Sequence, residues 1–362
     1  MMKKILAICT SPDRGGLELY FISLVKYFSN QSHIFTACRR NSHISKKIQS
    51  NRILIKKNNI FSLLINIVTL LRYIKNNKID IIHVSWTKDL LLSSVLKKLS
   101  HRKLSIVYYR QMKITRPKKD LFHKFIYKEV DIVLTITENL KRECTNFLPI
   151  AEENIVVLKY GIQPRNTSGS SKENIFTEYN LDLSKYTIGI FSRIEEQKGQ
   201  HLAIEALNLL YEKNIQLLII GHCMDDDYKS NLEKKCDQYG LIDRVKFIPF
   251  IDKPSEIMSV IDLVILPTYE ETFGLVVAES MMMQTPVIGS DAGGVPEIIN
   301  DRHNGLLFKT KDSSSLAEKI YLLYGSSDLR NKIVKNAELF VRKEYDYDNH
   351  FRNFEEIIKR VT

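Results

Sequence analysis

The sequence predicts an α/β protein made of two doubly wound, parallel-sheet domains. Three observations carry this. Short apolar runs alternate with helical stretches along the 362 residues, as in successive βαβ units. The alternation breaks at Gln163 to Ser171 (QPRNTSGSS), the most loop-like stretch of the chain. The sign of the charge changes at the same place. Residues 1–165 carry 30 Lys and Arg against 11 Asp and Glu, and residues 166–362 carry 23 against 31. These place one domain at 1–165 and a second at 166–362.

In the first domain, KILAIC is a buried strand and Gly15-Gly16 break the chain. Leu17 to Phe28 has helical spacing, and Ile34 to Cys38 is a strand. Ile60 to Ile74 is an amphipathic helix and Ile79 to Val84 a strand. Leu90 to Leu99 is a helix, Leu104 to Tyr109 a strand, Phe122 to Lys128 a helix and Ile132 to Ile136 a strand. The pattern restarts with strand Tyr186 to Phe191 and helix Gln200 to Tyr211. Strands follow at Gln216 to Ile220, Val245 to Ile248, Leu263 to Leu266 and Pro286 to Ser290. The helices between them are Tyr228 to Tyr239, Pro254 to Val260 and Gly274 to Met283. Pro296 begins a short helix, and Leu316 to Tyr324 and Leu329 to Tyr345 are helical. The last helix, about residues 346–362, is expected to pack back on the first domain.

Composition bounds the function. With 44% hydrophobic and 26% charged residues, the chain is globular, which excludes collagen-like and disordered classes. Five widely spaced cysteines form no Cys-x-x-Cys pair, which points to a reducing compartment rather than a zinc ribbon or disulfide scaffold. The longest uncharged stretch, Asn58 to Leu71, is interrupted by polar residues and falls short of the about 20 apolar residues that span a bilayer. The apolar run Ile5 to Cys9 is too short for a signal-peptide core of about 7–15 residues. A cytoplasmic location is expected. The net charge of +11, concentrated in the first domain, fits an anionic partner such as a membrane surface or phosphorylated substrate; a solvated lysine-rich surface also accounts for part of it.

Ligands of open α/β sheets bind beyond the carboxyl ends of the strands, so two facing sheets make a cleft. The densest motif is Pro267 to Gly294, PTYEETFGLVVAESMMMQTPVIGSDAGG. Glu271 lies in the loop after a strand, and Gly274 opens a helix. The N–H groups of Phe273, Gly274 and Leu275, with the helix dipole behind them, suit a phosphate. Glu279 lies on that helix, and Gly293-Gly294 permits close backbone approach. A second motif, Ser192 to Gly199 (SRIEEQKG), supplies the cations Arg193 and Lys198 after another strand, suited to a diphosphate. Gly15-Gly16-Leu17-Glu18 stands at the same place in the first domain. No Asp-x-Asp element lies beside these loops, so no metal is needed to explain them. Asp225-Asp226-Asp227 reads as a solvated turn.

At SRIEEQKG, EETFGLVVAES, and AGGVPEII followed by NGLLF, the chain resembles family-4 glycosyltransferases. That class has the GT-B fold of two Rossmann-like domains and is retaining and nucleotide-sugar-dependent. The resemblance covers nearly the whole chain and is strongest from Ile188 to Phe308. It implies that Arg193 and Lys198 bind the donor diphosphate and that Glu271 lies by the transferred sugar. Glu279 would hold the ribose hydroxyls. The amides of Phe273 to Leu275 would hold a phosphate or sugar group, and Gly15 and Gly16 would close over the diphosphate. It also implies front-face transfer with retention and no cofactor beyond the nucleotide-diphosphate sugar, which is itself a substrate. Family members often carry a histidine after the strand that precedes the acceptor site. Here Gln111 stands there with Arg110 beside it, and a Gln side chain hydrogen-bonds but does not titrate.

Arg110 to Lys128 (RQMKITRPKKDLFHKFIYK) is basic with interleaved aromatics. Lys118, Lys119 and Lys124 suit a phosphorylated or lipid-linked acceptor at an anionic inner-membrane surface, held peripherally. The tract from Lys118 to His123 resembles bacterial glycosyltransferases of lipopolysaccharide and cell-surface polysaccharide assembly, which implies a glycolipid or saccharide acceptor. No helix-turn-helix or RNP-like pattern supports a nucleic-acid partner. Two other readings share this architecture: a nucleotide-sugar epimerase, and a non-catalytic carbohydrate- or membrane-binding relative.

Overall fold

The structure, a computed structural model, describes residues 3–29, 33–56, 60–164 and 171–361. Most of the interdomain stretch expected at Gln163 to Ser171, residues 165–170, lies outside these, as do residues 58 and 59. The chain divides into two compact units, residues 1–161 with 348–362, and residues 162–347.

The first unit runs β1 (Ile5–Cys9), α1 (Gly16–Ser29), β2 (Ile34–Arg39), α2 (His43–Lys47), β3 (Arg52–Ile55), α3 (Ile60–Asn77), β4 (Ile81–Val84), α4 (Leu90–Leu99), β5 (Ser105–Arg110), α5 (Leu121–Tyr127), β6 (Ile132–Thr135), α6 (Glu138–Phe147) and β7 (Ile155–Val157). Its seven strands are parallel in the order β3-β2-β1-β4-β5-β6-β7. The order reverses between β1 and β4. Right-handed crossovers put α1 and α2 on one face and α3 to α6 on the other; α1 packs beside α2, α3 beside α4, and α4 beside α5.

The second unit runs α7 (Lys172–Glu178), β8 (Tyr186–Phe191), α8 (Gln200–Leu209), β9 (Ile215–Ile220), α9 (Asp226–Gln238), β10 (Val245–Ile248), α10 (Pro254–Met258), β11 (Leu263–Leu266), α11 (Leu275–Met282), β12 (Val287–Ser290), β13 (Leu306–Phe308), α12 (Ser313–Gly325) and α13 (Ser327–Glu344). Its six strands, also parallel, follow β10-β9-β8-β11-β12-β13 and reverse between β8 and β11. The central strands β8, β9 and β11 are apolar runs covered on both faces, as buried parallel sheets require.

The fold class is the one the sequence predicts. Three strands are absent from the sequence pattern: β3, β7 and β13. All three are sheet edges. They are three or four residues long, and β3 and β7 are largely half-exposed, with Leu54 of β3 open to solvent, so their apolar runs are too short to mark a strand. Among the described residues, no helix is long and apolar enough to cross a membrane.

The final helix, α14 (Tyr347–Arg360), belongs to the first unit from Asp348 onward. Phe351 stacks on Tyr27 with ring centres 4.4 Å apart, and Phe354 meets Phe28 at 5.9 Å and His83 at 5.3 Å. The Ser105 hydroxyl donates to the Val361 carbonyl at 3.1 Å. His350 is buried. Its Nδ1 lies 2.6 Å from the Lys159 carbonyl and donates to it, so Nε2 accepts from the Tyr20 hydroxyl at 3.1 Å. Burial pushes the His350 ring down to about 4 and the His83 ring to about 3, with His350 adding to the effect on His83.

Both histidines fold as neutral rings, whereas in the unfolded chain they bind protons below about pH 6.5. Their contribution is complete above that pH and is lost as pH falls toward the folded values, where the unfolded state holds more protons. Urea denaturation at pH 7 and pH 5 is expected to show the loss, on the order of 2 kcal/mol from His350 alone. His350→Gln should be less stable at pH 7 but lose less between the two pH values; an equal loss in both proteins would refute the assignment.

Candidate donor site

In the second unit the order reversal puts two loops side by side at the carboxyl edge: residues 192–199 after β8, and 267–274 after β11. These are the two motifs singled out in the sequence. They interlock through the main chain. The Tyr269 amide donates to the Gln197 carbonyl at 2.9 Å, and the Thr268 hydroxyl to the same oxygen at 3.2 Å. Gly199 has φ +70°, and a Cβ there would lie 2.0 Å from the Pro267 carbonyl oxygen. Only glycine fits that approach. Gln200, fully buried at the start of α8, donates from Nε2 to the Arg193 carbonyl at 2.8 Å and to the Ser192 hydroxyl at 3.0 Å, fixing the first loop from below.

The interlock brings Lys198 and Glu271 together. Their Nζ–Oε2 distance is 2.8 Å, and both side chains are largely covered, at 17% and 24% exposure. The other Glu271 oxygen accepts from the Thr272 amide at 3.2 Å. The Gly294 amide donates to the Glu271 carbonyl at 2.7 Å. Cβ atoms at 293 and 294 would fall 2.1 and 2.2 Å from the carbonyl oxygens of Glu271 and Thr272. The close approach that this glycine pair permits is therefore to the 271–272 backbone. Gly274 then caps α11, whose first amides have no acceptor within the helix. Glu279 lies half-buried on the same helix.

Arg193 is in the same loop but half-exposed, paired with Glu195 at 2.9 Å. Three residues of this neighbourhood escaped sequence reasoning. The His201 ring bridges two phenols, Nδ1 to Tyr228 at 2.7 Å and Nε2 to Tyr269 at 2.6 Å, and burial lowers its pKa. The available signal was Tyr269, inside the PTYEE motif itself. Asp225 caps α9 by accepting from the Tyr228 amide at 2.9 Å, so Asp226 and Asp227 form the exposed first turn of the helix where the sequence reading has a solvated turn.

In the first unit the equivalent reversal lies between the loops after β1 and β4. Buried Asp89 ties them, accepting from the Thr10 amide at 2.8 Å. The Gly15 amide donates to Glu18 at 2.8 Å, and the Gly15 carbonyl accepts from Leu19 at 3.0 Å. The Gly-Gly-Leu-Glu run thus forms half of a capping box at the start of α1, with Gly16 the first helical residue. Arg110, at 4% exposure, donates to the Tyr108 hydroxyl at 2.9 Å and the Lys113 carbonyl at 2.8 Å. The side chain points into the unit and braces the loop that follows. Gln111 is also buried; its Oε1 accepts from the Tyr160 hydroxyl at 2.6 Å, and its Nε2 has no partner among the described residues. Lys118 is half-buried and Lys119 exposed. His123 pairs with Asp120, the N-cap of α5.

Comparison with known proteins agrees with the fold. Residues 14–166 match the model described as Glycosyltransferase Family 4, and residues 171–340 match Glycosyl transferases group 1. An uncharacterized glycosyltransferase of Methanocaldococcus jannaschii, MJ1607, is 30% identical over 224 residues, 60% of this chain and 57% of that protein. The O-antigen biosynthesis glycosyltransferase WclY of Escherichia coli is 31% identical over 174 residues, 48% of this chain and 47% of that one. These alignments span about half the length of each relative. A glycosyltransferase from Rickettsia africae superimposes with a TM-score of 0.90 at 20% identity, covering 99% and 98% of the two chains. Anabaena Alr3699/HepE, solved with UDP-glucose, gives 0.85 at 20%, covering 99% of each. The chain belongs to the family-4 glycosyltransferases of the GT-B fold.

The interlock makes a stability prediction. Gly240 also has positive φ, +63°, but a Cβ there meets nothing within 4 Å. Gly240→Ala should therefore cost only the left-handed backbone term, about 1–2 kcal/mol. Gly199→Ala should cost clearly more, because the 267–274 loop must also move. Equal shifts in melting temperature would show that the two loops are not in contact.

Proposed function

We propose that the protein transfers a hexosyl-type sugar from a nucleotide-diphosphate sugar to a glycolipid or saccharide acceptor, with retention, in lipopolysaccharide or cell-surface polysaccharide assembly. The second unit binds the donor and the first the acceptor. The Lys198–Glu271 pair beside the N-terminus of α11 carries the reading. Without donor, the two charges neutralise each other. A diphosphate recruits the ammonium, which frees the carboxylate to accept from sugar hydroxyls. Arg193 exchanges Glu195 for a phosphate oxygen in the same way. Cations and the amides of Phe273, Gly274 and Leu275 then meet the charge that develops on the departing phosphate. Glu279 takes the ribose hydroxyls. Glu271 positions and stabilises the sugar; the leaving phosphate takes the acceptor proton.

In the first unit, Gln111 offers its unpartnered amide to an acceptor hydroxyl, Arg110 acts by bracing the following loop, and Lys118 and Lys119 meet an anionic group. The UDP-glucose bound by HepE and the O-antigen role in WclY's name support the donor and acceptor classes. The protein works in the cytoplasm, peripherally on an anionic inner-membrane surface, and needs no metal.

Lys198→Ala and Arg193→Ala should each lower transfer by orders of magnitude in a folded protein. Each removes charge-assisted contacts of about 1.5–3 kcal/mol, and more in the transition state. Normal turnover in the double variant would reject the site. Glu271→Gln should reduce kcat more than donor affinity.

Stereochemistry and metal use form a separate prediction. NMR of the product anomeric proton should show retention, and activity should persist in excess EDTA. An inverted linkage rejects the retaining mechanism. Activity lost in EDTA and restored by Mn²⁺ rejects metal-free stabilisation of the leaving group.

A further inference from the structure

We infer that the layer formed by α3, α4 and α5 docks on an anionic phospholipid bilayer, with Leu121, Phe122 and Phe125 seated at the lipid interface. This rests on the peripheral-membrane reading above and assigns it a face.

The first observation is exposed apolar surface at matching positions. On α5, Leu121 is 84% exposed, and Phe122 and Phe125 are open as well. On α3, Leu64 is 66% exposed, with Ile65 and Val68 also open. Each set has i, i+1, i+4 spacing, which gathers its members on one side of a helix. The helix between them, α4, packs against both. Lys98 of α4 lies 3.6 Å from the centre of the Phe125 ring, tying α4 to α5. Apolar side chains repeated across one helical layer mark an interaction surface rather than scattered exposure.

The second observation is charge. Residues 60–128 contain fifteen Lys and Arg, three Asp and no Glu. The three carboxylates are engaged locally. Asp80 pairs with Arg102 at 3.0 Å, Asp89 is buried on Thr10, and Asp120 caps α5 and holds His123. Asp120 is the one carboxylate of the three that stays exposed beside Leu121, and Glu129, next after Lys128, pairs with Lys98 at 3.5 Å. Arg116, Lys119, Lys124 and Lys128 still leave the surroundings of the exposed α5 side chains basic. Apolar residues flanked by lysines match an anionic bilayer, which takes the side chains at the acyl boundary and the cations at the headgroups. A second copy of so basic a face would be repelled. A nucleic acid would use the cations but leave Leu64, Ile65 and Leu121 in water.

The test is cosedimentation of the full chain with phosphatidylglycerol and with phosphatidylcholine vesicles. Wild type should bind the former, weakening as salt rises. Leu121→Asp/Phe122→Asp should bind at least about tenfold more weakly, and Leu64→Asp/Ile65→Asp should also weaken. Leu339→Asp, on an exposed site of α13, should bind as wild type. Melting curves confirm that each variant folds. Phe122→Trp adds a second readout: its emission should shift to the blue on phosphatidylglycerol vesicles, beyond any change from the native Trp86. Wild-type binding with undiminished binding by both double variants, or no blue shift, overturns this face and leaves the membrane reading intact. No wild-type binding at low salt rejects the membrane reading itself. Self-association that the same double variants abolish would make a second copy the occupant and overturn the inference.

Discussion

The two loops that leave the neighbouring parallel strands β8 and β11 touch along their main chains, and the candidate donor site depends on that contact. Strands β8 and β11 are adjacent only because the strand order reverses between them. Their loops emerge on the same edge, with no helix between. Gly199 lets the Pro267 carbonyl approach to a distance no side chain tolerates. Gln197 then receives two donors from the second loop, and Lys198 lands beside Glu271. The glycine pair at 293 and 294 presses on the same segment from β12. Glu271 is thus held by backbone contacts from two sides, while its carboxylate, paired with Lys198, stays partly exposed. A carboxylate positioned this way loses little freedom when it meets a ligand, which is the physical content of preorganisation.

The first unit solves a different problem at its carboxyl edge. It buries polar side chains there and ties most of their polar atoms, leaving the Gln111 amide nitrogen unpartnered among the described residues: Asp89 on Thr10, Arg110 on Tyr108 and Lys113, Gln111 on Tyr160, His350 between Lys159 and Tyr20. Each bond compensates a desolvation that would otherwise be costly. Rigidity at this edge comes from side chains, whereas in the second unit it comes from glycine-permitted backbone contact.

That difference sets what was legible in the sequence. Buried central strands write themselves as apolar runs, and the glycines and charges of the second unit stand at fixed places after them. The two parallel sheets and the loops carrying Lys198, Glu271 and Gly274 were therefore readable. Edge strands β3, β7 and β13 were not, since apolar runs of three residues there do not stand out from the flanking loops. The side-chain network was also hidden. Nothing in Arg110 or Gln111 as letters says that one faces inward against Tyr108 and the other against Tyr160. The acidic tract at Asp225 read correctly as solvated but not as a turn, since Asp226 and Asp227 already belong to α9. His201 did not read at all, because its two phenol partners come from helix α9 and from a loop far along the chain.

The placement of α14 has a consequence for synthesis. The first unit is discontinuous: residues 162–347 intervene between its β-strands and the helix that covers Tyr27, Phe28 and His83. On the ribosome, its sheet emerges long before that cover exists. Contacts such as Tyr20 to His350, 330 residues apart, close only after the intervening unit has been translated. Until then an aromatic surface waits uncapped, and nascent chains of this kind depend on slow, long-range closure. The second unit, continuous in sequence, is therefore free to complete its contacts before the first, although it begins later.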